Sequence, residues 1–163
     1  MDLLFKNIEI ISPTDNISGY YDLAIRNGII EYIENPGRNM DNDFEEIING
    51  DGLTIVPGFF DMHVHFRDPG QTEKEDIESG VNSAANGGFT GVLCMPNTKP
   101  AIDNKDVISY ILEKSKDMIV DVYVSACASR NREGKELAEL NELFDVGAIA
   151  FTDDGSPLLN RKI

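Results

Sequence analysis

With 163 residues and 41% hydrophobic content, the chain is long enough to bury a sizeable core and suits a folded globular protein. Its formal charge of -15 and pI near 4.3 exclude the basic footprint that nucleic acid or an anionic membrane surface requires of a partner. No apolar run can span a bilayer, and the N-terminus "MDLLFKNIEI" lacks the basic start, apolar block and small-residue cleavage site of a secretory leader, so a cytoplasmic location is expected. Cys94 and Cys127 lie in apolar runs without the paired spacings of a disulfide framework, and are expected to be free, buried thiols.

In chain order, "MDLLFKNIEI" reads as a first strand. In "YYDLAIRNGIIEYIEN" two short alternating runs meet at Asn27-Gly28, a dipeptide that accepts positive φ at both turn positions, so a hairpin is expected. Asn35 to Asn42, rich in Asn, Gly and Asp, reads as a loop, and "EEIINGDGLTIVPG" as a further turn-marked strand pair. Residues 1–55 are therefore expected to form a small β unit.

From residue 56 the pattern becomes strand, then helix, repeated. "FFDMHVHF" precedes "TEKEDIESGVNSAANGG", where Thr72 and Glu75 suggest a capping box, Ile77, Val81, Ala84 and Ala85 line one face, and Gly87-Gly88 ends the helix. "FTGVLCMPN" is the next strand, followed by the helix "NKDVISYILEKSKD" with Val107, Ile108, Ile111 and Leu112 on its buried side. "MIVDVYVSACA" is the third strand, and "GKELAELNELFDVG" a helix burying Leu137, Leu140, Leu143 and Phe144; "AIAFTDDG" is the fourth strand. About four such units imply parallel strands with right-handed crossovers.

Such units build either an open doubly wound sheet or part of a closed barrel. A glycine-rich GxGxxG turn after the first strand is missing, which disfavours the nucleotide-binding sheet. Polar groups instead gather at strand ends, the pattern of a (β/α)8 barrel. A full barrel takes about 250 residues whereas about a hundred follow the β unit. The expectation is thus the N-terminal part of a longer enzyme, residues 56–163 forming the first half of the barrel and ending in "GSPLLNRKI" without a closing strand.

The segment "DMHVHFRDPG" contains both histidines of the chain. Strand alternation puts Asp61, His63, His65 and Arg67 on one face and Met62, Val64 and Phe66 on the other. Two imidazoles in His-x-His spacing suit a borderline metal such as Zn, Fe or Ni, and a carboxylate on another inward-facing strand would give a mixed N/O site. In "GAIAFTDD" the row Ile149, Phe151, Asp153 is expected to face the helices and the row Ala148, Ala150, Thr152, Asp154 the interior, so parity selects Asp154 as ligand and leaves Asp153 supporting it, for instance by binding loop amides. A bulge would swap the two. Arg67 offers a planar fork for a substrate carboxylate, or a salt bridge to Asp61 or Asp68; Asn97 offers a donor and an acceptor to the same substrate, or a turn.

Taken together, "GFFDMHVHFRDPG", "GGFTGVLCMPNTKP" and "AFTDDG" closely resemble the dihydroorotase family of cyclic amidohydrolases. The resemblance implies an α/β fold, the N-terminal part of a (β/α)8 amidohydrolase barrel preceded by a small β unit that belongs to a β-sandwich. It also implies a Zn2+-dependent interconversion of dihydroorotate and N-carbamoyl-L-aspartate in pyrimidine biosynthesis, with one or two zinc ions per full-length subunit. By motif, His63, His65 and Asp154 match metal ligands, and Arg67 and Asn97 the pair that binds the substrate carboxylate; Asp61 and Asp153 are expected to support them from their own strands. Many relatives carry a carbamylated lysine on the fourth strand, where this chain has aspartate, as one branch of dihydroorotases does. The remaining histidines and the general acid/base of the family lie on later strands, beyond Ile163, so the 163 residues are expected to be inactive alone. Alternatives are an allantoinase-like or dihydropyrimidinase-like hydrolase, whose substrates lack that carboxylate, and a non-catalytic scaffold. The partners expected are the small-molecule substrate and either a second copy or another pyrimidine-pathway enzyme.

Overall fold

The computed structural model describes residues 2–37 and 43–158, so residues 38–42 of the expected loop and residues 159–163 of the ending lie outside the described residues. The chain divides into two units, Met1–Pro57 and Gly58–Ile163.

The first unit is one sheet. β1 (Leu3–Ser12) pairs antiparallel with β2 (Ile17–Arg26), which pairs antiparallel with β3 (Ile29–Glu34). The turn between β2 and β3 is Asn27-Gly28 with φ of 50° and 77°, the doubly positive geometry of a two-residue hairpin. β4 (Glu46–Asn49) and β5 (Thr54–Ile55) do not pair with each other as expected. Both run parallel to β1, β4 opposite Leu3 to Lys6 and β5 opposite Glu9 and Ile10. The Gly50 N–H donates to the Lys6 carbonyl at 2.7 Å, which keeps the chain on the same edge instead of reversing it. Ile8, Ile10 and Leu23 form the buried centre, with Phe5, Tyr21, Ile33 and Ile55 packed around it.

The second unit is a parallel sheet in the order β6 (Phe59–Val64), β7 (Phe89–Cys94), β8 (Asp121–Ala126), β9 (Ala148–Phe151). Helices α1 (Ile77–Asn86), α2 (Lys105–Ser115) and α3 (Leu140–Asp145) make the crossovers. The core lies between sheet and helices, with Ile77, Val92, Ile108, Ile111, Val124 and Leu143 all nearly or fully buried. Burial pushes the Cys94 thiol up to about 11 and the Cys127 thiol up to about 12, which keeps both free cysteines protonated and unreactive.

Two helix details differ from the sequence reading. α1 is capped not by Thr72 and Glu75 but by Asp76, whose side chain accepts from the Ser79 N–H while the Ser79 hydroxyl accepts from the Asp76 N–H. Residues 71–74 form a turn instead, closed by Lys74 N–H to the Gln71 carbonyl at 2.9 Å, and this delays the helix start. α3 is shorter than expected because the segment before it turns back on the loop after β8. Leu137 bridges Ser129, and the Ala138 N–H donates to the Ala128 carbonyl at 3.0 Å. Leu143 is buried as expected, but Leu137 and Phe144 are exposed.

Candidate metal site at the strand ends

Parallel strands put their C-terminal ends, and the loops that follow them, on one edge of the sheet. His63 lies near the end of β6 and His65 just past it, while Asn97 and Asp154 each sit three residues beyond the ends of β7 and β9. One ligand atom from each of His63, His65 and Asp154 falls within 4.8 Å of the others. His63 Nε2 is 3.3 Å from Asp154 Oδ1 and His65 Nε2 is 3.7 Å from Asp154 Oδ2, with the imidazole centroids 5.1 Å apart. Two imidazole nitrogens and a carboxylate converging in this way are a donor set that fits a divalent borderline metal such as zinc.

Asn97 ties His65 and Asp154 together. Its amide nitrogen donates to Asp154 Oδ2 at 3.2 Å, which turns its oxygen toward His65 Nδ1 at 2.9 Å. With Oδ1 as acceptor, Nδ1 carries the proton, and Nε2 of a neutral ring is left as the lone-pair nitrogen facing Asp154. Asn97 is therefore engaged by the candidate ligands themselves in this structure, in a role its sequence context did not show.

Strict alternation fails on both flanking strands. On β6, Asp61 lies opposite Val92 and Val64 opposite Cys94, three steps against two, so Met62 and His63 occupy a bulge. Val64 packs on the core and Phe66 is buried as expected, but Met62 is 73% exposed, and Asp61 accepts from the His63 N–H at 3.0 Å instead of lining up beside its ring. On β9 the expected rows also break. Ala148 is buried in the core and Ile149 is 54% exposed, because a bulge lies between the pairs Val124 with Ala148 and Ser125 with Ala150.

Past β9, Asp153 is buried and accepts from the Ser129 N–H at 3.0 Å and from the Ser129 hydroxyl, while Asp154 reaches the histidines. Arg67 stands apart from this cluster. It is half-buried, has a left-handed φ of 58°, and forms no ion pair among the described residues. Asp68, its suggested salt-bridge partner, is 1% exposed and held by Lys114 Nζ at 2.6 Å and the Tyr110 hydroxyl at 3.0 Å, both on α2. The loops carrying Arg67 and Asn97 interlock. The Lys99 N–H donates to the Pro69 carbonyl at 3.0 Å, and Gly70, at φ 96°, lies so close that a Cβ there would sit 1.9 Å from the Lys99 carbonyl oxygen.

Sequence reasoning missed Ser129 and Arg132 at the end of β8. Arg132 Nη2 donates to the Asp154 carbonyl and, at 3.4 Å, to the Ser156 hydroxyl. The polar run "SRNREG" after an apolar strand was the available signal, since the same strand-end rule that drew attention to Asn97 applies to it.

Solved structures share this parallel α/β sheet. The chain is similar to the L-hydantoinase (dihydropyrimidinase) of Arthrobacter aurescens with a TM-score of 0.69 and 26% identity, over 92% of this chain and 32% of that one. An enamidase described as a member of the amidohydrolase superfamily shares the fold at a TM-score of 0.60 and 20% identity, over 93% of this chain and 42% of that one. Residues 52–160 match the model of the Dihydro-orotase-like family, and the chain belongs to that family. It is 46% identical to the dihydroorotase of Aquifex aeolicus over all of this chain and 38% of that protein, and 44% identical to that of Clostridioides difficile over 99% and 38%. The chain thus spans little more than a third of the length of these curated relatives.

Proposed function

We propose that this chain supplies the first metal ligands and the carboxylate-binding arginine of a dihydroorotase, which interconverts dihydroorotate and N-carbamoyl-L-aspartate in pyrimidine synthesis. The observation that carries this reading is the convergence of His63, His65 and Asp154 within 4.8 Å, braced by Asn97. A zinc ion bound by these residues would lower the pKa of a coordinated water and polarise the ring carbonyl.

The chain's own residues do the rest of the binding. His63 and His65 present neutral nitrogens, and Asn97 keeps the His65 proton on Nδ1. Asp154 brings the negative charge that offsets a divalent ion. Arg67, with no ion pair among the described residues, has its fork available for the carboxylate that separates dihydroorotate from uncharged dihydropyrimidines. Asp61 and Asp153 support the ligands, Asp61 through the His63 backbone and Asp153 through the loop after β8. The general acid/base is assigned to a residue outside this chain.

The half-barrel reading is supported by the sheet itself. Parallel sheets normally have both faces covered, yet Phe60, Met62, Tyr123 and Ile149 are exposed on β6, β8 and β9. Residues 56–163 are read as the first half of a (β/α)8 barrel, and the β unit of residues 1–55 as part of a sandwich. No helix among the described residues is long and apolar enough to cross a membrane. A cytoplasmic enzyme with a small-molecule substrate, associating with a second copy or another pathway enzyme, completes the reading.

The test is zinc-dependent loss of dihydroorotate ultraviolet absorbance, followed with the full gene product and with allantoin and dihydrouracil as competitors. Turnover of dihydroorotate that chelation abolishes is expected. Turnover of the uncharged rings alone would overturn the assignment.

A further inference from the structure

The last ladder hydrogen bond of β9 is the Thr152 N–H to the Ala126 carbonyl at 3.0 Å, and beyond it Asp153 and Asp154 have no strand neighbour. The bulge in β9 means that alternation does not aim Asp154 either. What holds the turn is the loop after β8, which grips it with two arms. Ser129 binds the Asp153 carboxylate with its N–H and its hydroxyl, and the same hydroxyl accepts from the Gly134 N–H at 2.8 Å. Arg132 binds the Asp154 carbonyl and the Ser156 hydroxyl.

That second arm is held at a cost. Asn131 and Arg132 are consecutive non-glycine residues with left-handed φ, 51° and 58°, and Arg132 Nε is buried without a hydrogen-bond partner among the described residues. Strained backbone and an unsatisfied buried N–H both destabilise, and persist where the surroundings over-determine them at working sites. The loop is pinned in this shape from outside by the Asn131 N–H to Asp103 Oδ2 at 2.8 Å, and from within by the Arg132 N–H to the Ser129 carbonyl at 3.0 Å.

We infer that Arg132 is a positioning residue for Asp154: its guanidinium clamps the Asp154 backbone so that the carboxylate points at His63 and His65. The inference rests on the proposed metal site. Lysine at this position keeps the charge and ammonium donors but loses the planar guanidinium from which Nη2 reaches both the Asp154 carbonyl and the Ser156 hydroxyl.

The test is titration of the metal-stripped full gene product with Co2+ alone, read by the visible spectrum of the bound ion and by chelator competition, with thermal melts alongside. Wild type, R132K, R132Q and D154N are compared. Supporting residues around a metal contribute 10–100-fold in affinity as an order of magnitude. R132Q is expected to weaken Co2+ by roughly that factor and to change the spectrum, R132K to recover part of both, and D154N to lose more than either. Wild-type affinity and spectrum in R132Q would overturn the positioning role while leaving the metal site standing. A wild-type full gene product that binds no Co2+, or a D154N protein that binds it as wild type does, would overturn the metal site and the inference with it. If R132Q melts early, R132K decides: unchanged affinity and spectrum there overturn the role, and a weakened, altered site at a wild-type melting temperature supports it.

Discussion

The two sheets of this protein are built from similar short, β-rich runs, yet among the described residues only one of them assembles candidate chemistry at its edge. In the antiparallel part of the first sheet, β2 passes to β3 through two residues, Asn27 and Gly28, and a turn that short has no room for a constellation of side chains. In the parallel sheet each strand must cross back through a helix, so each strand end opens into a loop on the same edge. Those loops carry His65, Arg67, Asn97, Ser129, Arg132 and Asp154. The connection required by strand direction, more than local composition, decides which sheet gathers polar residues.

Glycine substitutions sharpen that contrast. Gly70 and Gly28 both have positive φ, but a Cβ at Gly70 would strike the Lys99 carbonyl whereas nothing lies within 4 Å of one at Gly28. Gly70→Ala should therefore combine conformational strain with a backbone clash and destabilise the second unit by about 3–4 kcal/mol, enough to abolish a clear urea transition in a marginal domain.

The next effect comes from the carboxylate beside Arg67. Asp68→Ala leaves Lys114 and the Tyr110 hydroxyl without their buried partner, and the expected loss is about 2 kcal/mol in denaturant melts, below the roughly 3–5 of a fully buried pair because Lys114 is 37% exposed. The same pair predicts a pH dependence. The hydrogen bond to Asp68 raises Lys114 above the ordinary lysine value of 10.5, against a smaller opposing effect of burial. A raised folded value means the stabilisation is complete below the unfolded pKa and fades as pH climbs through the folded one. Melting temperature should fall more steeply above pH 10.5 in the wild type than in Lys114→Met, with the buried cysteines common to both proteins. Equal slopes would remove the pair from the alkaline transition.

The smallest effect belongs to the hairpin. Gly28→Ala should lower stability by only about 1 kcal/mol, the intrinsic penalty of alanine at positive φ with open space around it. A loss as large as that at Gly70 would mean the turn carries more than its own conformation.

Much of the second unit was legible because local rules and global packing agree there. Ile77 and Val81 on α1, and Val107, Ile108 and Ile111 on α2, repeat at helical spacing and are the residues that became buried. Where two local rules competed, the sequence alone could not arbitrate. Thr72 with Glu75 and Asp76 with Ser79 are both plausible caps, and the turn at 71–74 selected the second. Leu137 fits the helical spacing of α3, but its bridge to Ser129 removed it from the helix.

By itself, the sequence determined that strands alternate with helices after a small β unit, that a hairpin turns at Asn27-Gly28, and that His63 and His65 stand together at a strand end. Each of these follows from neighbours a few residues apart, through backbone preference and the periods of strand and helix. Only the tertiary structure decided that bulges in β6 and β9 break the alternation, that Asn97 braces His65 and Asp154, and that Arg132 grips the ligand turn. Those are contacts between residues 22 to 57 positions apart, set by how parallel strands register side by side, and no local period encodes that register.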